Sequence, residues 1–366
     1  MSTDWYHFVS AQVSGERTVD GMGGKEVNPV NALSKNARLL FVPPGKLGDS
    51  LISLVIANNL VRAGFDVTVR GEFPHQLDQW LPGFKTGPNI DHDDYEKITR
   101  KYDLSIIDSQ APNLQRDGVD LRPILAAHSA FFSLAHYETS LDGQFDPQTL
   151  PSRFQRTLQP LVPNHGLVRN HQDLRLSMVS HTVEFCRREM NLSNADSANG
   201  IKLPSEIQQN KDLAKKLIVI SPTSGKLKKN WLPNRFIALA DHLHQKGYSC
   251  VFTVTPSETP SWRRQLAGRF AVADTDSVSE LATLLSKALA VVCNDSGTAH
   301  LASAVGASTI CLISSRDRFF EWRPGWGHST LIMPSIPVKS IFNIWPYFIS
   351  VRRVLDQVML APTEET

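Results

Sequence analysis

The stretch RLLFVPPGKLGDSLISLVIANNLVRAGFDVTVRG, residues 38–71, decides the fold class. RLLFVP and FDVTVRG are short apolar runs typical of buried strands. The segment between them carries apolar residues at helical spacing and closes on a glycine, as helices often do. An order of strand, helix and strand predicts a parallel sheet with helices on both faces. The chain is therefore expected to be an α/β protein.

The same alternation appears twice along the chain. LSIID and AFFSLA extend the first series to residue 135, and LIVISP begins a second series at residue 217. Between them lies a segment rich in Pro, Asn, Gln and Ser, in which SNADSANGIKLPSE is typical of a connection between domains. The sequence thus predicts a poorly structured extension (1–36), two α/β domains (37–195 and 205–340) and a C-terminal helix (341–366) that packs back on the first domain.

Composition argues against several classes of protein. The chain has 366 residues, of which 41% are hydrophobic and 20% charged, and a formal net charge of +2, so no basic footprint for nucleic acid is present. The four cysteines form no CxxC pair, which argues against a zinc or redox site. No apolar run reaches the roughly 18 residues of a membrane span, and no secretory signal is recognised. A cytoplasmic protein is expected.

Loops that follow the strands are the candidate sites, because open α/β sheets bind ligands at the carboxyl ends of their strands. In PPGKLGDSL (43–51), Gly45 and Gly48 permit a tight turn and close backbone approach. Asp49 is either an N-cap of the following helix or a carboxylate that faces the cleft and takes a proton. The loop is not a P-loop, because its lysine is followed by Leu47 rather than Ser or Thr.

Two loops of the second unit are candidate anion sites. SPTSGKLKKNW (221–231) offers two hydroxyls and three lysines at a strand end, which suits a phosphate, although an exposed basic loop is the alternative. In NDSGTAH (294–300), the backbone N–H groups at the start of a helix can bind an anion. The glycine has no side chain, so the anion can approach the backbone closely. A plain capped turn remains an alternative. The residues around the serine do not form the GxSxG motif that surrounds a nucleophilic serine.

Four blocks in a fixed order resemble glycosyltransferase family 9, the ADP-heptose:lipopolysaccharide heptosyltransferases. They are RLLFVPPGKLGDSLISLVIANNL, SPTSGKLKKNWLPNRFIALADHL, NDSGTAHLASAVGASTICLIS and RFFEWRPGWGHSTLI. The third is similar to the family pattern D-[ST]-G-x-x-H-x-A-x-A-x-G. The resemblance spans residues 38 to about 333, with no usable match over roughly 70–140, the part expected to face the acceptor.

The resemblance implies a GT-B fold, in which two Rossmann-like domains face each other across a cleft. It also implies a role for each matching residue. Asp49 would be the general base, and Glu258, in TPSETPSWRR, would contact the nucleotide ribose. The residues that would hold the diphosphate and the sugar are Thr223, Ser224, Lys229, Asp295, Ser296, Gly297, Thr298 and His300.

The implied activity is inverting transfer of a sugar, heptose from ADP-heptose, to a hydroxyl of a lipopolysaccharide-core-like or other glycan acceptor. No cofactor or metal is expected, because cationic and hydroxyl groups would meet the charge of the leaving diphosphate. The acidic run DHDDYE is interpreted as a solvated surface. Membrane contact would be at most peripheral, at the inner face of the inner membrane.

Three alternatives stay open. One is a transferase of the same fold with another nucleotide sugar, or with a protein or small-molecule acceptor. Another is a nucleotide-sugar-binding protein without transferase activity. The third is a dehydrogenase, which the missing GxGxxG disfavours.

Overall fold

A computed structural model describes residues 37–126, 129–135, 166–169, 175–208, 216–314, 320–336 and 344–361. The extension predicted for residues 1–36 lies outside the described residues. Within the described part, the predicted α/β class is confirmed, since parallel strands alternate with helices in two separate sheets. The domain boundaries proposed between 195 and 205 stay a prediction.

The first unit contains one parallel sheet and one short antiparallel pair. Its strands are β1 (Arg38–Val42), β2 (Asp66–Arg70), β3 (Lys85–Gly87), β4 (Leu104–Asp108), β5 (Gln115–Arg116), β6 (Val119–Asp120) and β7 (Ser129–Phe132). The sheet order is β3-β2-β1-β4-β7, and β5 pairs with β6. The central strand β1 is apolar throughout its last four residues because both of its faces are covered. The loops after β1, β4 and β7 therefore emerge side by side.

The second unit contains a six-stranded parallel sheet. Its strands are β8 (Leu217–Ser221), β9 (Ser249–Phe252), β10 (Ala271–Val272), β11 (Ala290–Asn294), β12 (Ser308–Leu312) and β13 (Ser329–Ile332). The order is β10-β9-β8-β11-β12-β13. The two central strands, β8 and β11, are neighbours, with Cys293 paired to Ser221. Both candidate anion loops of this unit thus begin at adjacent strand ends.

The helices follow the strands as the alternation predicts. They are α1 (Leu47–Arg62), α2 (Glu72–Gln76), α3 (Tyr95–Thr99), α4 (Arg122–Leu125), α5 (Met178–Arg188), α6 (Ser205–Gln208), α7 (Pro233–Gln245), α8 (Thr259–Leu266), α9 (Val278–Ser286), α10 (Gly297–Ala304) and α11 (Val351–Met359). Single 3₁₀ turns span Asp78–Trp80, His92–Asp94, Leu227–Lys229 and Trp345–Phe348. None of the described helices is both long enough and apolar enough to cross a membrane.

The two units meet through the helices that follow their central strands. α1 packs against α10, and the buried residues of both helices belong to one apolar cluster. Glycines permit the close approach. A Cβ on Gly297 would lie 2.9 Å from Leu47 Cβ, and a Cβ on Gly48 would lie 2.7 Å from His300 Cδ2. The amino-terminal ends of the two helices therefore lie side by side.

The C-terminal helix does not pack where the sequence analysis placed it. α11 packs on α7 of the second unit, and its buried Val354 and Val358 join the apolar cluster of Trp231 and Phe236. The expected return to the first domain is therefore wrong for the described residues 344–361. The physical reason is that the strongly amphipathic helix buries its valine face on the nearest apolar surface.

Candidate active site

A cleft of about 1170 Å³ separates the carboxyl ends of the two sheets. It is lined from both units, and it collects nearly all of the residues singled out in the sequence. From the first unit come Lys46, Leu47, Gly48, Asp49, Asp108, Gln110 and Ser133. From the second come Thr223, Ser224, Lys226, Lys229, Glu258, Asp295, Ser296, Gly297, Thr298 and His300. Of the predicted site residues, Gly45 does not line the cleft and instead packs against Pro112.

Asp49 lies in the first turn of α1 and is not its N-cap. The N-cap is Lys46, so Asp49 is the third residue inside the helix. Its side chain is about one quarter exposed, and Oδ2 lies 3.7 Å from Lys46 Nζ. Burial raises the pKa of Asp49 above its usual value, while the charges of Lys46, His300 and Lys229 act in the opposite direction. The carboxylate is therefore more basic than an exposed one and reaches the cleft.

His300 lies beneath Asp49 and is almost completely buried. Burial lowers its pKa, although the nearby carboxylates Asp295 and Asp49 partly oppose this effect. Burial therefore favours the neutral ring over the imidazolium ion. Its Nδ1 is buried without a hydrogen-bond partner among the described residues. The ring thus fills the space left by Gly48 and keeps an unused polar atom at the base of the cleft.

Lys229 and Asp295 form an ion pair at the centre of the second unit's wall. Lys229 Nζ lies 2.6 Å from Asp295 Oδ2, and the lysine side chain is 24% exposed while the aspartate side chain is 10% exposed. The buried carboxylate fixes the ammonium group, which retains access to the cleft. Asp295 is thereby placed to position the lysine, whereas the resemblance implied direct binding of sugar and phosphate.

Asn294 joins the two anion loops of the second unit and was not singled out as a site residue. Its fully buried amide accepts a hydrogen bond from Trp231 N–H at 2.9 Å and donates one to Pro222 O at 2.8 Å. An amide can do both because it carries a donor and an acceptor. The only sequence signal was its position at the end of β11, next to Asp295.

The amino-terminal end of α10 faces the cleft beside the ion pair. Ser296 is the N-cap, but its hydroxyl makes no capping bond, and Oγ is buried without a partner among the described residues. The first N–H groups of a helix have no intrahelical acceptor, so this end favours an anion. Thr298 lines the same wall. The missing side chain of Gly297 makes room for Leu47, and the predicted contact of Gly297 with the sugar or diphosphate stays a prediction.

The hydroxyls of the first anion loop are already engaged. Ser224 Oγ lies 2.6 Å from Asn230 Oδ1 and 3.0 Å from Lys226 O. Both neighbours are acceptors, so the single proton of Ser224 is used inside the loop and only its oxygen is available. Thr223 Oγ1 donates to Glu258 Oε2 at 3.0 Å. Ser224 thus stabilises the loop in this structure, and its predicted contact with the diphosphate stays a prediction.

Glu258 lies in the loop after β9, as the N-cap of α8, and its carboxylate accepts several hydrogen bonds. The same Oε2 accepts bonds from Thr255 N–H at 3.1 Å and from Thr255 Oγ1 at 2.7 Å, besides the one from Thr223. The other carboxylate oxygen has no such bond among these and faces the cleft region. The predicted contact with a ribose stays a prediction, but the residue is held in the lining where such a contact requires it.

First-unit residues at strand ends also line the cleft and were missed in the sequence. Asp108 ends β4 and is buried, with Oδ1 accepting a bond from Gln110 N–H at 2.8 Å. Ser133 follows the neighbouring strand β7. Their positions after apolar strands were the only available signal. The two units are tied together at one end of the cleft, where Gln76 Oε1 accepts a bond from Val278 N–H at 2.8 Å.

The described residues contain no group of three or more His, Cys, Asp and Glu arranged to hold a metal ion. Within the run DHDDYE, Asp93 is fully exposed and pairs with Arg116, which holds its pKa below the usual value. His92 Nδ1 lies 2.9 Å from Asn113 O. The acidic run is therefore only partly the solvated surface that was predicted, because Asp91, Asp93 and Glu96 are exposed whereas His92 and Tyr95 are buried.

Comparison with known proteins connects this geometry to a family. The sequence model of glycosyltransferase family 9 (heptosyltransferase) matches residues 158–334, just under half of the chain. Lipopolysaccharide heptosyltransferase 3 of Escherichia coli is 31% identical over 121 residues, which cover 31% of this chain and 35% of the relative. The lipopolysaccharide core heptosyltransferase OpsX of Haemophilus influenzae is 28% identical over 28% of this chain and 31% of the relative. The chain thus matches about a third of the length of these curated relatives.

Solved structures extend the likeness to the whole fold. The E. coli ADP-heptose LPS heptosyltransferase II has a TM-score of 0.64 at 15% identity, covering 88% of this chain and 98% of that one. The E. coli heptosyltransferase WaaC with ADP has a TM-score of 0.57 at 17% identity, covering 89% and 100%. The predicted GT-B fold is confirmed.

Proposed function

Because the resemblance of this chain to glycosyltransferase family 9 is confirmed, we propose that it is a glycosyltransferase that inverts the anomeric carbon of a nucleotide-sugar donor. One observation carries the mechanism. A partly buried carboxylate with a raised pKa, Asp49, shares a single cleft with a fixed cation, Lys229, and an exposed helix start, Ser296–Thr298. The base comes from one unit and the anion site from the other.

The second unit supplies the donor half of the site. Lys229, held by Asp295, and the first N–H groups of α10 face the position of the donor diphosphate. These groups are fixed before the reaction, so they stabilise developing negative charge without reorganisation. In this proposal the hydroxyl of Ser296, which has no hydrogen-bond partner among the described residues, becomes a further donor when the donor binds. Thr223 and Glu258, joined by a hydrogen bond, also line the cleft. In this proposal Thr223 contacts the diphosphate and Glu258 contacts the nucleotide ribose.

The first unit supplies the base. Asp49 takes the proton of an acceptor hydroxyl while that oxygen forms a bond to the anomeric carbon from the face opposite the diphosphate. The bond from the anomeric carbon to the diphosphate oxygen breaks, and its electron pair leaves with the nucleoside diphosphate. A positioned base contributes about 10²–10⁴-fold to such a step. The cations and the helix start then neutralise the leaving group, and in this proposal no divalent metal is required.

The names of the relatives give the substrate classes. The matched relatives are named for heptose transfer to lipopolysaccharide, and one similar structure contains ADP. We therefore infer an ADP-linked heptose donor and a lipopolysaccharide-core-like glycan acceptor, used on the cytoplasmic side of a membrane.

Calorimetric titration with ADP, UDP, GDP and ADP-heptose, without added metal, tests the donor site. ADP is expected to bind selectively, and Lys229→Ala is expected to weaken it about tenfold or more, because a charge-assisted hydrogen bond contributes roughly 1.5–3 kcal/mol. The matched control is Lys228→Ala, whose side chain is exposed on the same turn. Preference for UDP or GDP would assign another sugar, and absence of binding to all four would overturn the donor site. Mass spectrometry of an acceptor incubated with ADP-heptose, and NMR of the new anomeric linkage, then test transfer and inversion.

A further inference from the structure

A patch of exposed apolar side chains lies on the second unit beside the mouth of the cleft. Its members are Leu227, Ile336, Ile344 and Tyr347, here called the rim patch. Leu227 is 86% exposed and Tyr347 is 62% exposed. Side chains this exposed project outward from the surface instead of lining a groove. Apolar groups clustered in this way mark an interaction surface.

Hydrogen bonds between three chain segments hold the rim patch together. Trp345 Nε1 donates to Lys228 O at 2.9 Å, which fixes the turn that carries Leu227 against the turn that carries Tyr347. Ser335 N–H donates to Phe348 O at 3.3 Å, which brings Ile336 to the same side. These bonds hold the turns that carry Leu227 and Tyr347 together, and Ile336 and Ile344 border residues 337–343, which lie outside the described part of the chain.

The chain segments that carry the rim patch are rich in cationic residues. Residues 226–235, 333–336 and 344–355 contain Lys226, Lys228, Lys229, Arg235, Arg352 and Arg353 and no Asp or Glu, and Asp356 follows next on α11. Lys226 and Lys228 flank Leu227 directly and are exposed. Lys229 is paired with Asp295, and Arg235 donates to the backbone of the Trp345–Phe348 turn, so the two exposed lysines next to Leu227 are the groups most accessible to a partner.

We propose that the rim patch docks the protein on an anionic lipid surface. Projecting aliphatic and aromatic side chains enter the boundary between headgroups and acyl chains, while flanking lysines contact anionic headgroups. Tyr347 suits this boundary because its ring is apolar and its hydroxyl is polar. Since Lys226 also lines the cleft, docking brings the cleft mouth next to the lipid headgroups.

Sedimentation of the full-length protein with lipid vesicles tests the docking surface. The vesicles contain phosphatidylcholine either alone or mixed with phosphatidylglycerol, at low and high salt. The wild type is expected to sediment with the anionic vesicles only, and less at high salt. Combined Leu227→Ser and Tyr347→Ser are expected to weaken partitioning about tenfold or more, from the loss of buried apolar surface. Combined Lys226→Gln and Lys228→Gln are expected to weaken it roughly fivefold per lysine.

The matched control is Ile124→Ser, which removes an aliphatic side chain that is 50% exposed on the first unit. It should sediment as the wild type does, and all variants should share the wild-type thermal midpoint. Absence of vesicle binding, or binding unaffected by the Leu227 and Tyr347 changes, would overturn the assignment. So would a dimer, seen by light scattering, that dissociates in the Leu227 and Tyr347 variant, since the patch would then belong to a second copy. Vesicle binding needs neither donor nor acceptor, so its failure is distinct from failure of the proposed transfer.

Discussion

Two aspartates follow the central strands of the two units, and their surroundings differ. Asp295, after β11, is almost buried and lies 2.6 Å from Lys229 Nζ. Asp49, after β1, is more exposed, and its nearest cation, Lys46 Nζ, is 3.7 Å away. The first carboxylate is in direct contact with a cation. The second is made more basic by burial. The same residue type therefore has two different surroundings. Asp295, directly after β11, pairs with a cation, whereas Asp49, in the first turn of α1, is the base of the proposed mechanism.

The largest expected effect is the loss of transfer activity when Asp49 is replaced. Asp49→Asn should lower the transfer rate about 10²–10⁴-fold, because the amide cannot take the acceptor proton. Binding of ADP should stay close to that of the wild type, since Asp49 does not lie on the diphosphate wall. Rate assays with mass-spectrometric detection, together with calorimetry, measure both quantities. A variant that transfers sugar at the wild-type rate would remove Asp49 from the mechanism.

Replacing either aspartate with asparagine should also change the free energy of unfolding, and the two effects should differ in sign. Asp295→Asn breaks a charge-assisted bond and leaves Lys229 without its carboxylate, which should cost about 1.5–3 kcal/mol in the free energy of unfolding. Asp49→Asn should be neutral or stabilising at pH 7. The pKa of Asp49 is raised in the fold, so its ionised form destabilises the native state as the pH rises through that pKa. Urea denaturation at pH 7 checks both, and destabilisation by Asp49→Asn would contradict the assignment.

Contact between the helix ends can be tested by adding a single methyl group. Gly297→Ala places Cβ 2.9 Å from Leu47 Cβ, so the α1 and α10 ends must separate, at a cost of about 1–3 kcal/mol. Transfer should fall with stability because Asp49 follows Leu47 on the displaced helix. The control is Gly83→Ala, since its added Cβ meets no atom within 4 Å. Equal thermal midpoints and equal rates in the two variants would show that the close approach is unimportant.

The smallest expected effect concerns the pH profile. Asp49 must be ionised to act as base, so the rate should rise with pH through its pKa, above the usual value of 3.8. Among the groups that lower this pKa, Lys46 is the largest, so Lys46→Gln should move the acid limb of kcat/KM to higher pH. The shift should be modest because Lys46 is 78% exposed and solvent screens its charge. Lys97→Gln, in an exposed position on α3, should leave the limb unchanged.

The sheets and the three loops could be predicted because they depend on local sequence. The apolar runs that form β1 and β11 predict buried strands from their own residues alone. A parallel sheet then places the loops that follow its strands at one edge. Contacts between distant residues could not be predicted in this way. The proton of Ser224 is used by Asn230, and the space of Gly297 is used by Leu47, through geometry that no spacing encodes.

The position of α11 shows the same limit at larger scale. Its amphipathic pattern predicted a helix with one buried face, but it did not specify which of two apolar surfaces that face would cover. Likewise, the role of Asn294 depends on two backbone groups, Trp231 N–H and Pro222 O, that β8 and β11 bring together only when they pair. The family resemblance identified the motif NDSGTAH, and the structure showed which contacts its residue Asn294 makes.

The meeting of α1 and α10 also has a consequence for how the molecule folds. Gly48 and Gly297 come from opposite parts of the chain, so their contact closes a very long loop, and long-range contacts of this kind form slowly. During synthesis the first sheet emerges well before α10 exists, and until then the apolar side of α1 that α10 will cover is open to solvent. The cleft is therefore completed late, when the second sheet supplies its helix, and a chain truncated before residue 297 would retain Asp49 without the helix start that lines the other side of the cleft.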